Sequence, residues 1–472
     1  MSEPTREEKL AKIKAARAAA REVRGQKARA ASAQPNMMNT RKKYVQLNPV
    51  NAVSSGEYSA KGGLPMIKFD ISSHDAPMFL QGDELRICGR ITASTGAGAA
   101  LTNTDKNFVD NFCGRFANCI HTVTISSKRL NQVIERVENY WRIVPSVVSA
   151  IHGNEDINTQ LAHEGDHFET NFLGRHSLVA QDADNKGKSF SSRLYAGCLN
   201  SGQMMDLSKN GFGGLVIEIL LKPDVSVVFG DDAAANAATY KLSDLKLTTP
   251  LYYMDAASVP PQQTFAFNSL STVFQTINSS TSVVALTPGL KQVSSIFCNF
   301  LNANEVGNQN FNSARLGNIG EVRGLRFSLN GALYPLSYRM LTDEEANNAT
   351  TTHHSYQYRT LLDRNYLEAV SVNRFSETNR TVLSYNNWNA GVVDRSQTQN
   401  RDGVDQGTAA GIGILYDSFG TGEDLSQTVF SFELEASGQD LDGTAANAQG
   451  VYMVFLNKNQ VIMSADGIQI VR

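Results

Sequence analysis

From Tyr44 to the C-terminus the chain alternates short apolar, β-branched runs with turn-forming residues. Strands that short cannot bury both a face and their edges alone. Regular spacing of many of them points to sandwiches or barrels. In the first half the strand candidates are Met66–Ser72, Glu84–Ser94, Cys119–Ser126, Leu215–Lys222 and Leu242–Thr248. The run Leu215-Val216-Ile217-Glu218-Ile219-Leu220-Leu221 is almost continuously apolar, which predicts a strand buried on both faces. One helix is predicted here. Leu130, Val133, Ile134, Val137, Trp141 and Val144 recur at helical spacing, and Pro145 stops them.

Val259-Pro260-Pro261-Gln262-Gln263 cannot sit inside a sheet and predicts a boundary at 256–263. Beyond it the style repeats. Ser294–Leu301, Gly324–Leu329, Thr428–Ala436, Val451–Asn457 and Gly467–Val471 read as strands, and Asn330-Gly331 reads as a tight hairpin turn, since both residues tolerate positive φ. The polar stretches 153–192 and 394–413 read as surface loops. The expected fold class is all-β: two consecutive eight-stranded jelly-roll β-sandwiches behind a basic helical N-terminal arm. The expected divisions are an arm at 1–43, a first sandwich at 44–255, a linker at 256–263 and a second sandwich at 264–472. Each sandwich is of ordinary domain size.

Charge is distributed unevenly. Residues 1–43 carry 12 Lys and Arg against 4 Glu, so a net of +8 sits on a chain whose total is −3. Residues 4–30 are rich in Ala, Arg, Lys and Glu, which favours a helix ordered by contact. Arg17, Arg21, Arg24, Lys27 and Arg29 would lie along it and suit an anionic partner or an acidic surface of the chain's own assembly. No aromatic residue precedes Tyr44, so base stacking is not expected there. Charged residues are only 19% of the chain, below the usual share of about 25%. A surface short of charge is one that partners can cover.

The search for chemistry finds decoys. His163-Glu164-Gly165-Asp166-His167 spells H-E-x-x-H, the spacing that lets two imidazoles on one helical face bind zinc beside a general base. Gly165 and Asp166 weaken a helix, and Thr170 and Leu173 stand where an extended zinc motif needs Gly and His. A solvated loop is the expectation. His353-His354 reads as a polar loop. Gly187-Lys188-Ser189 lacks the upstream glycine of a phosphate cradle, where Asp182 stands. Five scattered cysteines form no C-x-x-C pair and read as free, buried thiols. Of the two tryptophans, Trp141 reads as core. No enzyme activity, catalytic residue, metal, cofactor or small-molecule substrate is expected. No apolar signal segment opens the chain, which predicts synthesis without a secretory route.

Three stretches in order carry a resemblance. They are Cys119–Ile125 with Leu130–Trp141 (LNQVIERVENYW), Gly197–Leu221 (GCLNSGQMMDLSKNGFGGLVIEILL) and Leu325–Leu336 (LRFSLNGALYPL). Together they resemble the double jelly-roll major capsid proteins of eukaryotic double-stranded DNA viruses, in particular those of polinton-like viruses and virophages. The resemblance implies a homotrimer forming a pseudo-hexagonal capsomer of an icosahedral virion shell, with penton and minor capsid proteins as further partners. It also implies synthesis in host cytoplasm or nucleus. It carries over no role for the arm, whose Arg17, Arg21, Arg24, Lys27 and Arg29 are expected to meet the capsid interior, genome DNA or an internal membrane. A two-sandwich receptor- or glycan-binding virion spike is the alternative expectation, and it needs an exposed aromatic platform.

Overall fold

The computed structural model describes residues 41–51, 55–60, 64–73, 77–94, 115–129, 131–143, 188–223, 239–254, 262–277, 281–302, 322–333, 340–341, 412–415, 422–436, 449–464 and 467–471. The first half contains β1 (Arg41–Leu47), β2 (Glu57–Tyr58), β3 (Met66–Ser72), β4 (Met78–Gln81), β5 (Arg86–Ser94), β6 (Ile120–Ser127), β7 (Gln132–Glu138), β8 (Lys188–Arg193), β9 (Met204–Asp206), β10 (Gly214–Leu221) and β11 (Thr239–Tyr253). The second contains β12 (Gln263–Ile277), β13 (Thr281–Leu286), β14 (Val293–Asn302), β15 (Val322–Leu329), β16 (Ala332–Leu333), β17 (Met340–Leu341), β18 (Ile412–Leu415), β19 (Phe430–Ala436), β20 (Gln449–Ser464) and β21 (Gly467–Val471).

The pairing order identifies the fold. In the first half one sheet runs β1-β11-β5-β8 and the other β3-β10-β6-β7. In the second half the sheets run β12-β20-β14-β18 and β13-β19-β15-β16. Numbered one to eight within each half, the principal strands pair first with eighth, second with seventh, third with sixth and fourth with fifth. That is one long hairpin rolled over on itself, a jelly roll, and it occurs twice. β2, β4 and β9 extend the first half beyond eight strands; in the second, β17 also pairs with β15, and β21 extends the sheet of β20. No strand of one half pairs with a strand of the other among the described residues.

Inside each roll, alternation sets the core. On β10, Leu215, Ile217, Ile219 and Leu221 are buried, whereas Leu220 is 37% exposed and Glu218 reaches Lys68 at 2.8 Å. The expectation of burial on both faces is therefore corrected: the strand has one core face and one half-open face. Buried apolar residues of both rolls belong to one continuous cluster. Trp141 is buried, as expected. Cys119, Cys198 and Cys298 are buried free thiols, while Cys88 is half-buried.

The helix expected over 130–144 is the main correction. Gln132–Glu138 is strand β7, and only Tyr140–Ile143 makes a helical turn. The register between β6 and β7 slips at Ile125/Ser126, so that Ile134 is an extra, bulged residue. The bulge buries Ile134 and Glu135 in succession and puts Ile134 and Val137 three apart on the buried side. That spacing imitates a helical stripe. The Asn330-Gly331 turn is present as read: the two residues have φ of 50° and 82°, and Leu329 faces Ala332 across it. Strand β1 begins at Arg41, inside the stretch read as arm, and β12 begins at Gln263, the last residue read as linker.

Candidate assembly site: the seam between the rolls

β12 is an edge strand, hydrogen-bonded to β20 along one side only. An open edge invites unwanted pairing. Here the first roll covers it, using β7 and the segment 194–213 that joins β8 to β10. Gln203 Oε1 accepts the Ala266 backbone N–H at 3.2 Å. Gly197 packs so closely on the Asn268 carbonyl that a Cβ would lie 1.7 Å from its oxygen, so only glycine fits.

Glu135 is the centre of the seam. The bulge in β7 turns its carboxylate inward, where it is buried. Oε1 accepts from Gly197 N–H at 3.1 Å and from the Ser269 hydroxyl at 2.8 Å, and Oε2 accepts from Cys198 N–H at 2.8 Å. One side chain thus ties strand, segment and second roll together. Burial pushes its carboxyl above the ordinary carboxylate range, against the lowering effect of these donors. The same burial, with the charge of Glu135 beside it, raises the Cys198 thiol well above its usual value.

Further polar ties flank this centre. Gln263 Nε2 donates to buried Asp206 Oδ2 at 2.7 Å, while Asp206 Oδ1 takes the Ser208 N–H at 2.8 Å. Arg129 Nη1 donates to Ser464 O at 3.0 Å and Asn210 O at 2.6 Å. Thr272 Oγ1 donates to Glu138 O at 3.2 Å and lies 3.3 Å from Asn139 Nδ2. Rings close the two ends. Trp141 meets Tyr452 edge-on at 6.0 Å, Tyr452 meets Phe274 at 4.6 Å, and Phe212 meets Phe265 at 5.9 Å. The Lys222 ammonium sits 3.6 Å from the centre of the Trp141 ring, and Lys222 O accepts the Tyr240 hydroxyl at 2.7 Å. Hydrogen bonds and packed rings spread along a whole edge suit fixing two bodies in one orientation.

Residues singled out in the sequence fall elsewhere. Arg17, Arg21, Arg24, Lys27 and Arg29 lie outside the described residues, as do His163, Glu164, His167, His353 and His354. Lys188 and Ser189 belong to strand β8. Among the described residues no group of three His, Cys, Asp or Glu could hold a metal ion. Glu135, Gly197, Asp206 and Ser269 were not singled out individually. Glu135, Gly197 and Asp206 do lie in two of the stretches that carry the resemblance, and Ser269 lies outside all three.

No protein family matches the sequence, and no curated protein matches it. Solved structures do match. A chain of the Sputnik virophage, solved by cryo-EM, is 10% identical with a TM-score of 0.55, covering 91% of this chain and 88% of that one. The mavirus major capsid protein is 9% identical with a TM-score of 0.51, covering 91% and 90%. A chain of the PBCV-1 virus capsid is 10% identical with a TM-score of 0.51, covering 92% and 97%. The chain has their fold. The likeness runs through both rolls.

Proposed function

We propose that the protein is the major capsid protein of an icosahedral double-stranded DNA virus. Three copies would form a pseudo-hexagonal capsomer, and capsomers would tile the shell of the virion. The observation that carries this reading is the duplicated pairing order held rigid by the Glu135 seam. Two like bodies locked side by side in one chain make a building block whose threefold repetition presents six similar lobes. A threefold, head-to-tail contact is heterologous yet closed, so growth stops at the tile. The division into an arm, a first roll and a second roll joined near 256–263 is part of this proposal. So are penton and minor capsid proteins as partners, and the arm as the segment that meets an anionic interior. The reading assigns the protein no turnover of any substrate.

The test is the assembly state of the purified full chain. The expected species is a homotrimer of about 155 kDa, from chains of 51.5 kDa, by light scattering. Six-lobed particles are expected in negative stain. A stable monomer that forms neither tiles nor shells would refute the proposal.

A further inference from the structure

Strand β1 is where the basic end of the chain joins the first roll. Residues 1–43 carry a net +8 on a chain totalling −3, which leaves −11 for the rest. The last three of those cations, Arg41, Lys42 and Lys43, belong to the strand itself. β1 is hydrogen-bonded to β11 along one side only. Its other edge has no strand beside it among the described residues, so backbone N–H groups remain there for a partner.

Every exposed side chain of β1 can donate a hydrogen bond. They are Arg41, Lys42, Lys43, Tyr44 and Gln46, of which none is acidic and none aliphatic. Lys42 is already engaged. Glu84 takes its ammonium at 2.7 Å, and the Tyr252 hydroxyl donates to the same carboxylate at 2.8 Å. The rings of Tyr44 and Tyr252 stand 5.0 and 5.2 Å from that ammonium. Tyr44 is therefore braced on its own sheet, yet it is 72% exposed. Arg41 and Lys43 share the opposite side of the strand and have no acidic partner among the described residues. The strand thus presents two unmatched cations, a phenol and an amide along an open edge.

We infer that the open edge of β1 binds the phosphate backbone of duplex DNA, with Arg41 and Lys43 as its ion-pairing groups and Tyr44 and Gln46 as further donors. Arg, Lys, Tyr and Gln side chains and backbone N–H groups are the donors that meet phosphates, and they read no bases, so the contact is independent of sequence. Charge names the occupant: the positive residues are concentrated before and within β1, and the rest of the chain is acidic. A lipid surface of the same sign would also need aliphatic side chains to insert, and β1 exposes none. The inference rests on the capsid reading, which supplies the duplex. It adds a DNA contact on the folded roll to the one proposed for the arm.

The experiment uses the full chain and a labelled duplex of mixed sequence, with binding followed by fluorescence anisotropy across a salt series. Wild type is expected to bind with an affinity that falls steeply as salt rises. Arg41→Gln combined with Lys43→Gln is expected to lower the slope of log affinity against log salt by about 2, since each phosphate contact contributes about 0.9. Arg41→Lys combined with Lys43→Arg keeps both charges and is expected to keep the slope. Tyr44→Phe is expected to weaken binding about threefold at unchanged slope. Circular dichroism and light scattering should match wild type for every variant, because the altered side chains are exposed. An unchanged slope and affinity in the Gln variant would overturn the inference and assign all DNA binding to residues 1–40. Wild-type binding to phosphatidylserine vesicles but not to duplex would overturn it in favour of a membrane. Both results leave the capsid reading standing if wild type forms trimers. A wild type that shows the expected slopes but never trimerises would refute the capsid reading and leave the DNA contact in place.

Discussion

At the scale of single residues, the fold depends on groups whose burial only makes sense in pairs. Glu135 is the clearest. Removing its carboxylate by Glu135→Ala leaves the N–H groups of Gly197 and Cys198 and the Ser269 hydroxyl without that acceptor in a buried seam. Each buried orphan donor costs about 1–3 kcal/mol, so a loss of roughly 3 kcal/mol or more is expected in urea unfolding monitored by tyrosine and tryptophan fluorescence. His121 gives the pH response. Burial, and then the positive charge of Lys222, hold its imidazole below the ordinary value of 6.5, with Glu138 opposing and Arg136 assisting. The unfolded chain therefore takes up a proton before the native one does. Stability is complete above pH 6.5 and falls as pH drops towards the lowered native value. Thermal melts of wild type from pH 7.5 downwards should show this loss beginning near pH 6.5, and His121→Gln should flatten it.

At the scale of elements, the seam depends on close approach of backbone. Gly197→Ala places a methyl group where the Asn268 carbonyl already stands, and backbone cannot yield as a flexible side chain would. The segment 194–213 must then lift off β12 and take the Glu135 bonds with it. A destabilisation of roughly 3 kcal/mol or more is expected, and limited proteolysis should show the 194–213 segment cleaved in the variant before the rolls themselves. Much of the element content is legible in the sequence. Met66–Ser72 and Gly467–Val471 are read to the residue. Leu242–Thr248 and Val451–Asn457 are only the middles of strands of 15 and 16 residues. Their outer portions carry Thr, Lys, Asn, Gln and Ser, which signal loops by composition and are held as strand by a paired neighbour. β7 failed as a reading for the opposite reason: its bulge gives a strand the spacing of a helix.

At the scale of the whole molecule, hydrogen bonds and packed rings tie the two rolls together along the β12 edge, and the capsid proposed above would use the pair as one building block. On that proposal the basic residues before β1 serve partners outside the tile. Deleting residues 1–35 is expected to leave the trimer intact in light scattering and to reduce shell yield or packaged nucleic acid, since the braced strand β1 starts only at Arg41. Loss of the trimer on that deletion would make the arm part of the tile contact. Raised salt should weaken binding of residues 1–43 to an anionic partner, because added ions screen the attraction between their Lys and Arg residues and that partner.

The sequence by itself settled the class. Alternating apolar residues and turn signals at short intervals are local features, and local features specify strands and turns. It also settled that Asn330-Gly331 turns a hairpin, because φ preference belongs to those two residues. Only the tertiary structure decided which strand lies beside which, that one face of β10 stays half-open, and that a carboxylate in an apolar stretch becomes the knot between two rolls. Those outcomes depend on partners far along the chain, 62 to 134 residues away for Glu135, which carries no mark of the donors it will meet. Long-range pairing is set by the packing of the whole, where burial and hydrogen bonding are satisfied together or not at all.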